Sequence, residues 1–222
     1  MIDCEEYIVN DKLYMSQFLP IHPDNPQPRL LRQAIEVIRQ GGVVVFPTDS
    51  SYALGCLMGD KDAMERIQRI RRLNDKHNFT LMCRDLSEIA NYAIVDNINY
   101  RLLKMLTPGP YTFILKASRE VPRRMQTPKR KTIGLRIPDH IVTQALLQEL
   151  NEPLMSVTLI MPDEHLPMTD PYQIEVMLGN QVDLIIDGGF CGQEPTTVLD
   201  LMADPPEVMR QGKGEVSWLV GH

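Results

Sequence analysis

The feature that most constrains this chain is the rhythm of its apolar residues. From Arg29 onward, short aliphatic runs alternate with stretches of helical period. Leu31, Ala34, Ile35 and Ile38 recur at helix spacing and stop at Gly41-Gly42, a helix C-terminal signal. Val43-Val44-Val45-Phe46 follows and is ended by Pro47; an apolar run without polar alternation predicts a strand buried on both faces. Asp62 is placed to cap a helix whose apolar side carries Met64, Ile67 and Ile70. A strand is expected over 79–83, and a helix over 97–106 that Pro108-Gly109-Pro110 stops. Strands over 111–117 and 132–138, a helix over 141–150, a strand over 153–161 and a helix near 171–178 come next. Strands over 182–187, 196–201 and 207–211 close the pattern. Strands and helices mixed in this way predict an α/β layer fold around one central, mixed sheet.

Length permits such a fold without covalent staples. A chain of 222 residues, 43% hydrophobic, suits one large domain with a small extension. It can bury roughly 70% of its unfolded surface. Cys4, Cys56, Cys83 and Cys191 form no CxxC pair, so unpaired thiols in a reducing compartment are expected. No Cys/His spacing matches a zinc site and no HExxH occurs, so no metal ligands are assigned. The start, MIDCEEYIVN, is acidic and lacks the parts of a signal peptide. No run approaches 18 apolar residues, so no membrane partner and a cytoplasmic location are expected. Met15 is a second plausible start, and HPDNPQP after it is rich in turn residues. Residues 1–20 therefore read as an extension, 21–213 as the domain and 214–222 as a tail.

The net charge of −6 is unevenly spread. Residues 61–85 hold seven Lys/Arg against four Asp/Glu, and 116–136 hold eight against Glu120 alone. An acidic chain with two basic segments is suited to holding an anion in one place; two solvated faces are the alternative. Arg66, Arg69, Arg71, Arg72 and Lys76 crowd a helix end, where cations are favoured by about 0.3–1 kcal/mol each. Five such groups also repel, and an anion would relieve that. Arg123, Arg124, Lys129, Arg130 and Lys131 lie in a Pro-containing loop that could meet a nucleic-acid backbone. Arg136 stands inside an apolar strand pattern, either on a wet face or aimed into a site. PTDSSYALG (47–55) follows a buried strand, where open α/β sheets place ligands, and also reads as a polar turn. Ser156 and Thr158 offer two hydroxyls on one strand face, and Arg210 precedes Gly212. Neither GxxxxGK[ST] nor GxGxxG is present.

Taken in order, these segments resemble the YciO/YrdC family, the group related to threonylcarbamoyl-AMP synthase. PTDSSYALG is similar to the family's PTDTxYGLG, TPGPYTFIL (107–115) to its PGPxT strand, and GLRIP (134–138) to GxRxP. SVT (156–158) sits where the family has SxN, PTTV (195–198) where it has STV, and Arg210 with Gly212 matches RxG. The resemblance covers roughly residues 20–213. MSQFLPIHPDNPQPRL, GDKDAMERI, HNFTLMCRDLSE and KRKTIGLRIP look characteristic of the YciO branch.

The resemblance implies a single twisted mixed-sheet YrdC-like domain with flanking helices and a basic concave surface. It implies ATP as substrate or ligand, with Mg²⁺ entering on the nucleotide, and no tightly bound cofactor. It implies L-threonine and bicarbonate as co-substrates in a tRNA threonylcarbamoyladenosine pathway. Arg71, Arg136, Ser156, Thr158 and Arg210 would face the nucleotide, and Thr48, Tyr52, Thr112 and Thr196 the amino acid. Arg123, Arg124, Lys129, Arg130 and Lys131 would serve RNA, either tRNA or double-stranded. The synthases' KxR is Arg71-Arg72-Leu73 here, the Asn of SxN is Thr158, and Ala53 replaces a Gly. Two readings follow: a synthase-like nucleotidyltransferase, or a non-catalytic RNA-binding paralogue. Either would act as a monomer or weak dimer.

Overall fold

The computed structural model describes residues 15–74 and 78–219. Residues 1–14 of the expected extension, Lys76, and the last residues of the expected tail lie outside them. The chain begins with β1 (Gln17–Pro20), α1 (Pro28–Arg39), β2 (Val44–Phe46), β3 (Ala53–Leu57) and α2 (Lys61–Arg71). It continues through β4 (Thr80–Met82), α3 (Leu86–Tyr92), β5 (Ala93–Ile94), α4 (Asn97–Leu106) and β6 (Tyr111–Ala117). After a 3₁₀ turn at Arg123–Met125 come β7 (Thr132–Arg136), α5 (Ile141–Leu150) and β8 (Leu154–Thr158). The last elements are α6 (Pro171–Leu178), β9 (Leu184–Asp187), β10 (Thr197–Asp200) and β11 (Glu207–Arg210).

One mixed sheet runs β1-β9-β2-β3-β8-β4-β7-β6-β10-β11, with β5 paired to β6. The predicted mixed α/β sheet is therefore what forms. Helix α4 and strand β6 match their expected bounds residue for residue, and the other expected strands are shorter by one or more residues at their ends. β3 went unread because ALGCL is buried without alternation and follows a polar turn. α3 is one of the shortest helices, seven residues long, and offers too few periods to see in sequence. Helix α2 is capped by Asp60, not Asp62: the Ala63 N–H donates to Asp60 Oδ1 at 3.0 Å. Asp85, Asp96 and Asp170 cap α3, α4 and α6 in the same way.

Both ends of the domain extend past the expected boundaries. Gln17–Pro20 is no appendage but an edge strand, parallel to β9. Gly214 and Val216 are buried, and the Thr197 hydroxyl donates to the Gly214 carbonyl at 2.6 Å.

Strand parity divides the core into two layers. Val43, Val45, Leu54, Leu81, Phe113, Leu135 and Leu199 pack on one face with residues of α2, α3, α4 and α6. Val44, Phe46, Leu184 and Ile186 point the other way, against Leu31, Ala34, Ile35 and Ile38 of α1 and Val142, Leu146 and Leu147 of α5. This second helix pair covers the part of the sheet around β9, β2 and β3. Its neighbours β8, β4, β7, β6 and β10 turn a different set of side chains to that face.

Glycine is required where β2 and β3 pair most tightly. A Cβ at Gly55 would sit 2.7 Å from Phe46 Cε1 and 3.1 Å from the Met155 carbonyl oxygen. Gly55→Ala should lower stability by about 1–3 kcal/mol, read as a lower urea midpoint. An unchanged midpoint would mean that the sheet spreads there freely.

Candidate functional site

The uncovered part of the sheet is the floor of a cavity of about 450 Å³. Thr80 and Met82 of β4, Thr132, Gly134 and Arg136 of β7, and Ser156 and Thr158 of β8 line it. Thr112 and Ile114 of β6 and Thr196 and Val198 at β10 complete the floor. In each strand these are alternate residues, and their partners across the strand are the buried apolar side chains of the first layer. Most floor residues are Thr, Ser, Val or Gly, so depth comes from their lack of bulk; Gly134 adds none at all. Phe79, Ile160 and Met209 supply apolar walls. A cavity of this size and mixed lining is of the class that holds small ligands.

Three guanidinium groups from distant elements meet here: Arg71 at the end of α2, Arg136 at the end of β7 and Arg210 at the end of β11. Their partners differ in kind. Arg136 is 6% exposed and pairs with Asp49, 8% exposed, through Nη2 and Oδ1. The other Asp49 oxygen accepts from the Asp139 N–H at 3.1 Å. Burial pulls the Arg136 pKa below its ordinary value and the Asp49 carboxylate opposes this. Its Nε has no hydrogen-bond partner.

Arg71 and Arg210 bond neutral oxygens instead. Arg71 Nε donates to the Thr158 carbonyl at 2.9 Å and Nη1 to the Ile160 carbonyl. Arg210 Nε and Nη2 donate to the Thr196 carbonyl at 3.2 and 2.9 Å, and Nη2 also reaches Thr196 Oγ1 at 3.2 Å. Burial lowers the pKa of both groups, yet an arginine stays charged. Among the described residues, no carboxylate forms an ion pair with either group.

The hydroxyl groups are similarly placed. Thr112 Oγ1 and Thr196 Oγ1 are 3.0 Å apart, a consequence of parallel pairing between β6 and β10. Ser156 Oγ donates to the Thr80 carbonyl at 3.0 Å. Thr48 Oγ1 donates to the Ser51 carbonyl at 2.6 Å and accepts the Ser50 and Ser51 N–H groups, closing the turn after β2.

Of the residues singled out in sequence, the cavity gathers Arg71, Arg136, Ser156, Thr158, Arg210, Thr48, Thr112 and Thr196. Tyr52 does not line it. The ring is wholly buried, its hydroxyl donates to the Gly189 carbonyl at 2.7 Å, and burial pushes its pKa far above that of a free phenol. The residue belongs to the core because it follows the turn by one step and faces away. Arg130 is exposed, as the loop reading expects, and also lines the cavity, where it pairs with Asp200 at 2.6 Å. Arg123, Arg124, Lys129 and Lys131 are exposed, and Arg124 Nη2 donates to the Gly59 carbonyl. Asn78, Thr80 and Thr132 also line the cavity and were not foreseen; the polar steps in TLM and TIGLR were the only signal for the two threonines. Lys213 Nζ donates to the Asp49 carbonyl at 2.5 Å.

The chain is an α/β protein whose mixed sheet carries an arginine-lined cavity on its half-covered face. Comparison with known proteins specifies it. The Sua5/YciO/YrdC family model, described as telomere recombination, matches residues 36–212. The chain belongs to this family. It is 59% identical over 202 residues to the uncharacterized protein YciO of Escherichia coli, covering 91% of this chain and 98% of that one. It is 29% identical over 184 residues to the threonylcarbamoyl-AMP synthase of Coxiella burnetii, covering 81% and 96%. The crystal structure of E. coli YciO superposes with a TM-score of 0.88 over 91% of this chain and 98% of that one. P. abyssi Sua5 complexed with L-threonine has the same fold, with a TM-score of 0.81 at 24% identity over 89% of this chain and 58% of that one. No helix among the described residues is long and apolar enough to cross a membrane.

The end of α2 holds the Arg71-Arg72-Leu73 step singled out in the sequence. Arg71 turns into the cavity, Arg72 adopts φ 48 and points out to Asp163 at 3.2 Å, and Leu73 packs against the core. The residue two steps after Arg71 thus brings no charge to the cavity.

The Asp49–Arg136 pair is the most deeply buried ion pair of the described residues. Removing one partner strands a buried charge, which costs about 3–5 kcal/mol. Asp49→Ala should lose that much in chemical denaturation, and Asp49→Leu combined with Arg136→Met should recover part of it. Equal losses in both variants would show that packing at the turn, not charge, dominates there.

Proposed function

We propose that the cavity binds an adenine nucleotide beside a small amino acid, as in threonylcarbamoyl-adenylate chemistry, with synthase turnover weakened in this chain. The observation that carries the reading is that Arg71 and Arg210 stand over one polar sheet face, bonded to carbonyls and to no carboxylate among the described residues. Arg forks match phosphate oxygens two at a time, and a half-enclosed site strengthens the attraction. Thr158 lies beside Arg71, Ser156 lines the same cavity, and Thr112 and Thr196 form a separate hydroxyl pair toward Arg210. Mg²⁺ would enter with the nucleotide, needing few protein ligands. The likeness to threonylcarbamoyl-AMP synthases supports the ligand pair, as does the fold shared with a protein solved with L-threonine.

In that reaction the threonine amine takes up bicarbonate and loses water, giving a carbamate. A carbamate oxygen attacks the α-phosphorus, the bond to the bridging oxygen breaks, and pyrophosphate leaves with the electron pair. Cations must offset charge growing on the departing group. Leu73 removes one such cation. By analogy with loss of one oxyanion donor, the step slows by about 10²–10³.

ATP should raise the melting temperature by about 5–10 °C at 100-fold excess over Kd. Pyrophosphate release from ATP, threonine and bicarbonate should run about 10²–10³ below that of the Coxiella synthase, and Leu73→Arg should raise it. No melting shift with millimolar ATP would refute the nucleotide reading. A shift with no pyrophosphate release, before or after Leu73→Arg, would leave binding without synthase chemistry.

A second reading, contact with RNA outside the cavity, is favoured by the exposure of Arg123, Lys129 and Lys131 on one loop. Affinity resting on phosphate neutralisation falls steeply with salt. Lys129→Ala with Lys131→Ala should weaken binding of a double-stranded RNA and flatten its salt slope, measured by filter binding. Unchanged binding would count against this loop.

A further inference from the structure

We infer that Arg130 belongs to the ligand site as its replacement phosphate-binding cation, held ready by Asp200, rather than to the outer basic surface. The inference rests on the nucleotide reading above. Four observations carry it.

The first is direction. Residues 127–132 form a tight turn in which the Lys131 N–H donates to the Thr127 carbonyl at 2.9 Å and the Thr127 N–H to the Thr132 carbonyl at 2.7 Å. Lys129 and Lys131 occupy left-handed backbone conformations, φ 68 and 54, which non-glycine residues adopt at some cost. All three side chains are exposed, but of the three only Arg130 also lines the cavity.

The second is its partner. Asp200 is only 4% exposed, and its Oδ2 accepts from Arg130 Nη2 at 2.6 Å. Register places Asp200 opposite Ile114, which in turn lies opposite Gly134, so its carboxylate rises from the cavity face of the sheet. A carboxylate buried on that face needs a cation. The ion pair therefore ties one side of the exposed Arg130 to the cavity face of the sheet.

The third is availability. Arg130 is 50% exposed, and this bond engages a single nitrogen of its fork. The rest of the guanidinium can meet phosphate oxygens while Asp200 keeps its orientation.

The fourth is the deficit it answers. The residue two steps after Arg71 is Leu73, partly buried against the core, so that position brings no cation to the cavity. Arg130 enters the same cavity from another element. It is a specificity-determining residue for the phosphate chain, set from the β6–β7 connection instead of from the end of α2.

The test is calorimetric binding of inorganic pyrophosphate and of ATP to the full chain, with melting curves to confirm folding. Arg130→Ala should weaken both by about 10- to 100-fold, and Arg130→Lys should restore only part, because it keeps charge and loses the fork. Lys129→Ala with Lys131→Ala should leave both affinities unchanged. Asp200→Asn should tighten pyrophosphate by about two- to fivefold, since it frees the guanidinium from a competing carboxylate. A merely structural brace predicts the opposite sign for Asp200→Asn. Wild-type affinity in Arg130→Ala, or equal loss in the lysine variant, overturns the inference alone. A wild-type protein that binds neither probe overturns the nucleotide reading with it.

Discussion

Everything in this molecule depends on how unevenly its sheet is covered. Helices α1 and α5 pack over β9, β2 and β3, while the strands beyond keep their second face for a cavity. A sheet buried on both faces needs apolar residues throughout; a sheet with one open face can alternate. The strands obey this division. VVF and LIID are nearly all buried and apolar, whereas TIGLR places Thr, Gly and Arg at every second step, and TLM and YTFIL each turn one Thr to the cavity. The site is therefore not a loop feature added to a finished core. It is the unpacked remainder of the sheet itself.

Charge is managed on that remainder in two distinct ways. The deepest guanidinium, Arg136, is neutralised by Asp49, because a buried cation without a partner would cost several kcal/mol. Arg71 and Arg210 stand closer to solvent and are steered by backbone carbonyls. Hydrogen bonds to carbonyls fix direction without cancelling charge. The first arrangement stabilises the wall and the second keeps attraction for an anion. Arg130 with Asp200 lies between them, with a paired nitrogen and an accessible remainder.

Much of this was legible in the chain. Helix period marked α1, α4 and α5, and apolar runs marked β2, β6 and β9, because burial writes its period directly into residue type. Arg136 stood out because a charge in an apolar strand pattern needs a reason. Other features left no local trace. Nothing in ALGCL distinguishes a strand buried on both faces from the tail of a polar turn. Nothing in TPKRKT says which of three consecutive cations turns inward; that depends on two left-handed residues and on a carboxylate seventy positions away. Tyr52 looked like a site residue by its neighbours and is a core residue by its facing.

The residues by themselves determined the layer architecture, the alternation of the cavity strands and the stock of cations, since these follow from period and composition. Only the tertiary structure decided which cations share a hollow and which are balanced. Arg71, Arg136 and Arg210 come from α2, β7 and β11, and strand order, not sequence distance, brings them to one cavity. The physical reason is that a side chain's charge is local chemistry, while its effective charge depends on whatever partner folding sets within a few ångströms.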